Sequence, residues 1–225
     1  MIFIKNADAV ARKAIREIDP SLENKFAGLI RFLVIYPAAA TRLRGKNSPD
    51  IGSEGYIISA ALNYAKGREP KKPASPSTIP DEMVSFVLQY YFNVESTSLE
   101  RIKKEHALSM GAEGIVGNLL EHYLSSVLES HGWIWCAGSL VKAVDFVKPP
   151  VGQEDWILLQ VKNRDNSENS SSSAIRIGTT IDKWHRTFSR KPGSNWSAFP
   201  EIITRNELSE EGFHEFVKNY LEKLK

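Results

Sequence analysis

The stretch 141-VKAVDFV-147, followed across 148-KPPVGQED-155 by 156-WILLQVKN-163, decides the fold of this chain. Both runs are short and rich in Val, Ile, Leu and aromatic residues, and a Pro- and Gly-bearing segment divides them. That pattern predicts two β-strands joined by a turn. Side chains on a strand alternate between faces, so Gln160 and Lys162 point one way while Leu159 and Val161 point the other. Strands this apolar have little reason to carry Asp145, Gln160 and Lys162 together unless those groups act on something.

Upstream, 133-WIWCAG-138 reads as a third strand, and the close spacing of the three predicts an antiparallel meander. Before it, 111-GAEGIVGNLLEHYLSSVLESHGW-133 predicts a long amphipathic helix closed by Gly132, itself preceded by a short polar helix over 96–110 entered through a Ser/Thr cap. Gly117, Glu121, Leu124 and Leu128 share one face of the long helix. Glu121 therefore lies on or at the edge of the stripe that faces the core. A buried carboxylate costs several kcal/mol by order of magnitude, so it calls for a cation, a metal or donors nearby. A Glu at the stripe's edge reaching water is the plainer alternative.

Residues 7 to 93 read as mostly helical, with apolar residues at helix spacing over 7–18, 23–36, 54–66 and 81–93 and with Pro20, Pro37 and Pro80 as boundaries. They predict a helical subdomain over 1–95, with the remaining residues 96–225 as a second unit. Two loops within it, 42–55 and 67–80, are basic and rich in turn residues; they are solvated connections, or Arg42, Arg44 and Lys46 touch phosphates. After the strands, 163-NRDNSENSSSSAIRIGTTIDKWHR-186 is strongly polar, but Ile175, Ile177, Ile181 and Trp184 anchor it, which predicts an ordered surface rather than a linker. A strand-like 201-EIITR-205 then precedes a closing helix over 208–224 whose apolar face is Phe213, Phe216, Val217 and Tyr220.

Composition sets the outer bounds. The chain has 225 residues, 42% of them hydrophobic, enough for a substantial core, and its net charge of +2 does not by itself argue for a nucleic-acid partner. The single cysteine, Cys136, lies in an apolar run, which excludes an intrachain disulfide and reads as a core residue sooner than as a catalytic thiol. No run reaches the roughly twenty apolar residues of a membrane span, and no secretory signal is visible, so a cytoplasmic protein that avoids membranes is expected.

In chain order, the central region presents a helix with Glu121, a strand ending at Gly138, a strand with Asp145 and a strand with Gln160 and Lys162. Metal-dependent phosphodiester hydrolysis needs carboxylates that hold a divalent ion beside the phosphate and gains from a lysine that stabilises the charge developing on it. These residues resemble the PD-(D/E)xK nuclease superfamily, in which an Asp on the second core strand faces an acid-x-Lys on the third. Asp145 matches the first position and Lys162 the lysine, and the helix of this superfamily often supplies a Glu where Glu121 lies. The resemblance implies an α/β (α+β) fold with a mixed central sheet flanked by helices. It also implies Mg²⁺ as cofactor, with Mn²⁺ as a substitute, on Asp145, Glu121 and Gln160. Gln160 departs from the pattern, because an amide offers a carbonyl oxygen but no charge. The missing charge is assigned to Glu121 or to Glu168; Glu154 and Asp155 precede the strand and cap a turn. An ion pair between Asp145 and Lys162 is the structural alternative.

The run 162-KNRDNSENSSSSAIR-176, with 182-DKWHR-186 and 195-NW-196, is similar to the SinI-type family of type II restriction endonucleases. That similarity implies cleavage of both strands of double-stranded DNA at a short palindromic site, GGWCC in the best-known members. The recognition segment is then 163–200. Arg can bond guanine O6 and N7 with two donors and Asn can read adenine or phosphate, so Asn163, Arg164, Asn166, Arg176, Lys183, Arg186 and Asn195 are the candidates for DNA contact. A palindrome is most simply read by a two-fold homodimer, for which the helical region is an interface or a DNA clamp. A cognate DNA methyltransferase is the implied functional partner. The competing readings are a structure-specific repair or recombination nuclease with the same core and a non-catalytic DNA-binding protein, the latter favoured by Gln160.

Overall fold

The computed structural model describes residues 2–45, 47–152, 155–165 and 180–225. Lys46, Glu154, Asn166, Glu168, Ile175, Arg176 and Ile177 lie outside the described residues. Three helices open the chain: α1 (Ala7–Arg16), α2 (Glu23–Ile35) and α3 (Glu54–Gly67). Pro20 and Pro37 each begin a short 3₁₀ turn, Pro20–Leu22 and Pro37–Ala39, at the boundaries their rings impose. The Ser53 hydroxyl accepts the Tyr56 N–H at 3.1 Å and starts α3. Ala11, Ala14 and Ile15 of α1 pack against Phe26, Ile30 and Leu33 of α2 and Ile57, Ala61 and Tyr64 of α3, in one continuous core that also takes in the sheet. The alanines keep the helices close.

α4 (Glu82–Tyr90) is followed by α5 (Leu99–Leu128), a single helix of 30 residues where the sequence predicts two. The break expected near Gly111 does not occur, because one helical glycine costs only about 1 kcal/mol. Here its lack of a side chain is needed: a Cβ at Gly111 would sit 2.9 Å from the Ala74 carbonyl oxygen. Burial along α5 begins only at Gly111 and continues through Ile115, Leu119, Leu120, Tyr123, Leu124 and Leu128.

The sheet has the order β1 (Ile134–Trp135), β2 (Phe146–Lys148), β3 (Ile157–Arg164) and β4 (Ile181–Thr187). The first two pairings are antiparallel, as the predicted meander requires, and β3 pairs β4 in parallel, so the sheet is mixed. Two of the predicted strands are shorter than expected. Residues 141–145 turn rather than extend: Val141 forms an isolated bridge to Ala40, the Lys142 N–H donates to the Ala39 carbonyl at 2.8 Å, and Ala143 takes φ +57°. β4 lies in the polar run, where Trp184 is its buried anchor, its ring centroid 5.0 Å from those of Trp196 and Phe199. The predicted strand 201–205 is instead a short helix, α6 (Ile202–Arg205), with Ile202 and Ile203 in solvent. The closing helix α7 (Glu210–Glu222) starts where the Ser209 hydroxyl accepts the Gly212 N–H at 2.9 Å, and it lays Phe213 into the core.

Two glycines position the loop after α3. A Cβ on Gly67 would meet the Gly138 nitrogen at 2.3 Å, and one on Gly138, at φ +78°, would meet the Asn63 carbonyl oxygen at 2.4 Å. The end of α3 and the 3₁₀ turn Ala137–Ser139 therefore touch backbone to backbone. Gly138→Ala is expected to lose about 3 kcal/mol of stability from left-handed strain and backbone overlap, read as a lower denaturant midpoint at unchanged slope.

Candidate active site

Asp145 is the first residue of the extended run that becomes β2. Its N–H donates to the Leu159 carbonyl at 2.9 Å and its carbonyl accepts the Cys136 N–H at 2.8 Å, so backbone pairing to both neighbours holds it in place. Its carboxylate Oδ2 accepts the Val161 N–H at 2.7 Å, which aims the side chain across β3. The alternation along β3 puts Leu159 and Val161 into the core and Gln160 and Lys162 on the opposite face, as predicted from the sequence. From α5, Glu121 joins them. Its Oε2 accepts the Trp135 indole N–H at 2.9 Å, and Arg68 stacks over that indole at 5.1 Å while pairing with Glu129.

Glu121, Asp145, Gln160 and Lys162 line a single cleft of about 580 Å³. Glu121 is pushed well above the usual carboxylate range, first by loss of water around it and then by the negative charge of Asp145, with the Trp135 hydrogen bond and the charges of Lys71 and Lys162 acting the other way. Burial likewise raises Asp145, against the Val161 hydrogen bond and Lys162. Both carboxyls stay raised despite Lys71 and Lys162, so the desolvated cleft can take further positive charge. Two oxygens add to that capacity. Gln160 is 3% exposed, yet neither its Oε1 nor the Asn118 Oδ1, also in the cleft, has a hydrogen-bond partner among the described residues.

A hard divalent ion fits this donor set: two carboxylates and two neutral amide oxygens, with water or phosphate oxygens completing the shell. Among the described residues no group of three His, Cys, Asp or Glu side chains gathers for a metal; those lining the cleft offer two carboxylates and two neutral amide oxygens. The raised carboxyls also bear on stability. The folded chain keeps protons that the unfolded chain has released, so stability falls as pH rises from the ordinary carboxylate range through the raised values. Glu121→Gln is expected to melt several degrees above the parent at pH 8 without metal, the gap closing toward pH 4; for a chain of this size about 1 kcal/mol corresponds to roughly 2–4 °C. Adding Mg²⁺ is expected to stabilise the parent and leave Glu121→Gln nearly unmoved in the same thermal melts.

Several residues of the cleft and its surroundings have no local signature in the sequence. Lys71 reaches it from the 67–80 loop, anchored where its N–H donates to the Tyr220 hydroxyl at 2.6 Å. Asn118 sits one helical turn before Glu121. His185 pairs in register with Lys162 and has a buried Nε2 without a partner among the described residues. Cys136 is buried, and burial with two acids nearby raises its thiol well above the ordinary value, which makes it a core residue.

The DNA candidates divide. Asn163, Arg164 and Arg186 line an adjoining groove of about 670 Å³ with Lys191, and Lys183 is exposed opposite Gln160 on β4. Arg186 is taken up within the fold: its Nε donates to Asn163 Oδ1 at 3.0 Å, it pairs with Glu210, and it lies over the Phe213 ring at 4.9 Å. Asn195 is also spent internally, its side chain donating to the His185 carbonyl at 3.1 Å and its backbone carbonyl accepting the Trp184 indole N–H at 3.0 Å. Arg42 and Arg44 are both exposed on the earlier loop.

Comparison with known proteins finds similarity along nearly the whole chain. The family model of the SinI restriction endonuclease matches residues 7–223. The type II restriction enzyme Eco47I of Escherichia coli is 50% identical over 223 residues, covering 99% of this chain and 97% of that protein. The type II restriction enzyme SinI of Salmonella infantis is 47% identical over 226 residues, covering 100% and 98%. With a mixed sheet, a carboxylate cleft and a match of this extent, the chain belongs to the SinI restriction endonuclease family and is a restriction endonuclease.

Proposed function

We propose that this enzyme hydrolyses both strands of double-stranded DNA at a short palindromic site, GGWCC, using Mg²⁺, with Mn²⁺ as a substitute. The observation that carries the reading is the pair of mutually repelling carboxyls, Glu121 and Asp145, sharing one cleft with Lys162 and with amide oxygens that have no partner among the described residues. Asp145, Glu121 and Gln160 would hold the ion, which when bound neutralises charge on the scissile phosphate and acidifies a water. Val161 fixes the Asp145 carboxylate and Trp135 fixes that of Glu121, so both are oriented before DNA arrives. Lys162 holds a positive charge where negative charge grows as the water oxygen bonds to phosphorus and a P–O bond breaks.

Asn163 and Arg164, at the end of β3, lead from the cleft into the adjoining groove, which suits them to bases or phosphates next to the cut. Lys183 extends the same face. Asn166 and Arg176 belong to the same proposed recognition segment, 163–200, while Arg186 and Asn195 shape its floor. The enzyme acts as a homodimer, one active centre per strand, with residues 1–95 as a helical region and 96–225 as the nuclease core. It works in the cytoplasm beside a DNA methyltransferase that protects the same site; among the described residues no helix is long and apolar enough to cross a membrane. Incubating the protein with plasmid DNA and Mg²⁺ tests the reading. Discrete fragments ending at GGWCC are expected, and their absence with every divalent metal, despite DNA binding, would overturn it.

A further inference from the structure

No residue between 71 and 110 is buried. Within that span α4 packs extensively against no other element among the described residues, and an apolar groove of about 410 Å³ separates it from the first turns of α5. A nine-residue helix without tertiary packing is not stable in water on its own. Its pattern is nonetheless strongly amphipathic. Met83, Phe86, Val87 and Tyr90 fall at i, i+3, i+4 and i+7, the spacing of a core-facing stripe, and all four face solvent at 62, 51, 46 and 75% exposure. Tyr91, Phe92, Leu108 and Met110 lie exposed on the same projection.

We propose that this arm, residues 79–110, is the surface on which a second copy of the chain docks. Area is the first argument. The four aromatic residues and their aliphatic neighbours expose on the order of 1,000 Å² of apolar surface, above the roughly 300–600 Å² of a typical monomer's largest patch. It is close to the ~800 Å² that each partner gives to a stable interface. Charge is the second. Residues 79–110 carry five acids and three Lys or Arg, so the arm repels a DNA backbone or an anionic membrane rather than clamping it. Four of these eight charged groups pair among themselves, Arg101 with Glu105 at 3.1 Å and Lys103 with Glu100 at 2.9 Å, whereas the apolar stripe meets only solvent.

The placement suits a two-centred enzyme. The arm's second helix is the first third of α5, and the same continuous helix carries Glu121 about 17 Å beyond Met110 at 1.5 Å per residue. Docking two arms would set the separation of two active centres through one rigid rod. The inference rests on the homodimer reading above and names its surface.

Sedimentation of the full chain at tens of micromolar, without DNA, tests it. The parent is expected at twice the 25.3 kDa chain mass. Phe86→Glu with Tyr90→Glu is expected to weaken association at least about 100-fold and sediment as monomer with an unchanged circular dichroism spectrum. Ile202→Glu with Ile203→Glu, at an exposed apolar pair elsewhere, is expected to remain dimeric. A dimeric arm variant, or a monomeric control variant, would overturn the surface while leaving the dimer reading intact. A monomeric parent would overturn both. Should the arm variant not fold, Phe86→Ser with Tyr90→Ser is to show the same dissociation, and a dimer there would equally overturn the surface.

Discussion

Asp145→Ala is expected to lower DNA cleavage by at least about 10³-fold, because it removes one of two charged groups that would hold a divalent ion against the phosphate. Two effects on the fold oppose each other in this variant. Losing the carboxylate orphans the Val161 N–H, now satisfied at 2.7 Å, at a cost of about 1–3 kcal/mol, while removing a desolvated acid relieves repulsion on Glu121. Asp145→Asn separates them, since its carbonyl oxygen keeps the Val161 hydrogen bond and carries no charge. The expectation is that Asn and Ala lose cleavage alike in single-turnover assays. Both are expected to bind cognate DNA without metal at least as tightly as the parent, because a negative charge beside the phosphate is gone. Cleavage retained by Asp145→Asn would place the ion elsewhere.

Lys162→Ala is expected to cost about 10²–10³-fold in the cleavage step, the magnitude of other preorganised electrostatic groups. An ion pair with Asp145 would also make Lys162 matter, and the pH profile distinguishes the two roles. Lys162 lowers the proton affinity of both Asp145 and Glu121, so its removal lets both rise further and moves the acid limb of the profile to higher pH. If Lys162 works only through the carboxyls, activity returns once the pH is high enough to ionise them at saturating Mg²⁺. The expected result is that the deficit persists at high pH, because the charge acts on the phosphate itself. Lys162→Arg is expected to recover activity only in part, since a planar guanidinium does not replace a compact point charge.

The sequence by itself determined the elements whose signals are local. Prolines at 20 and 37 ended helices at the predicted places, and alternation in 157–164 separated Leu159 and Val161 from Gln160 and Lys162 without any knowledge of the neighbours. The order of Glu121, Asp145 and Lys162 along the chain was enough to bring the nuclease core into view, because helix, strand and strand follow one another closely and pair with their immediate neighbours. Where tertiary context overrode the local signal, the sequence misled. The β-branched run 202–203 lies in a short helix, and β4 hid in a polar stretch because an edge strand needs only one buried anchor, here Trp184.

Only the tertiary structure decided what completes the cleft. Lys71 is 50 residues from Glu121 along the chain, and it arrives there because Gly67 and Gly138 allow two backbones to touch, a contact no sequence window contains. The surroundings of Gln160 are also visible only there. As a letter it is a missing acid; in the cleft its oxygen is buried, without a partner among the described residues and beside two acids, and the proposed role of a neutral donor rests on that placement. The physical reason is common to both cases. Periodicity reports which face of an element is apolar, whereas desolvation and charge at a point depend on every chain segment that converges on it.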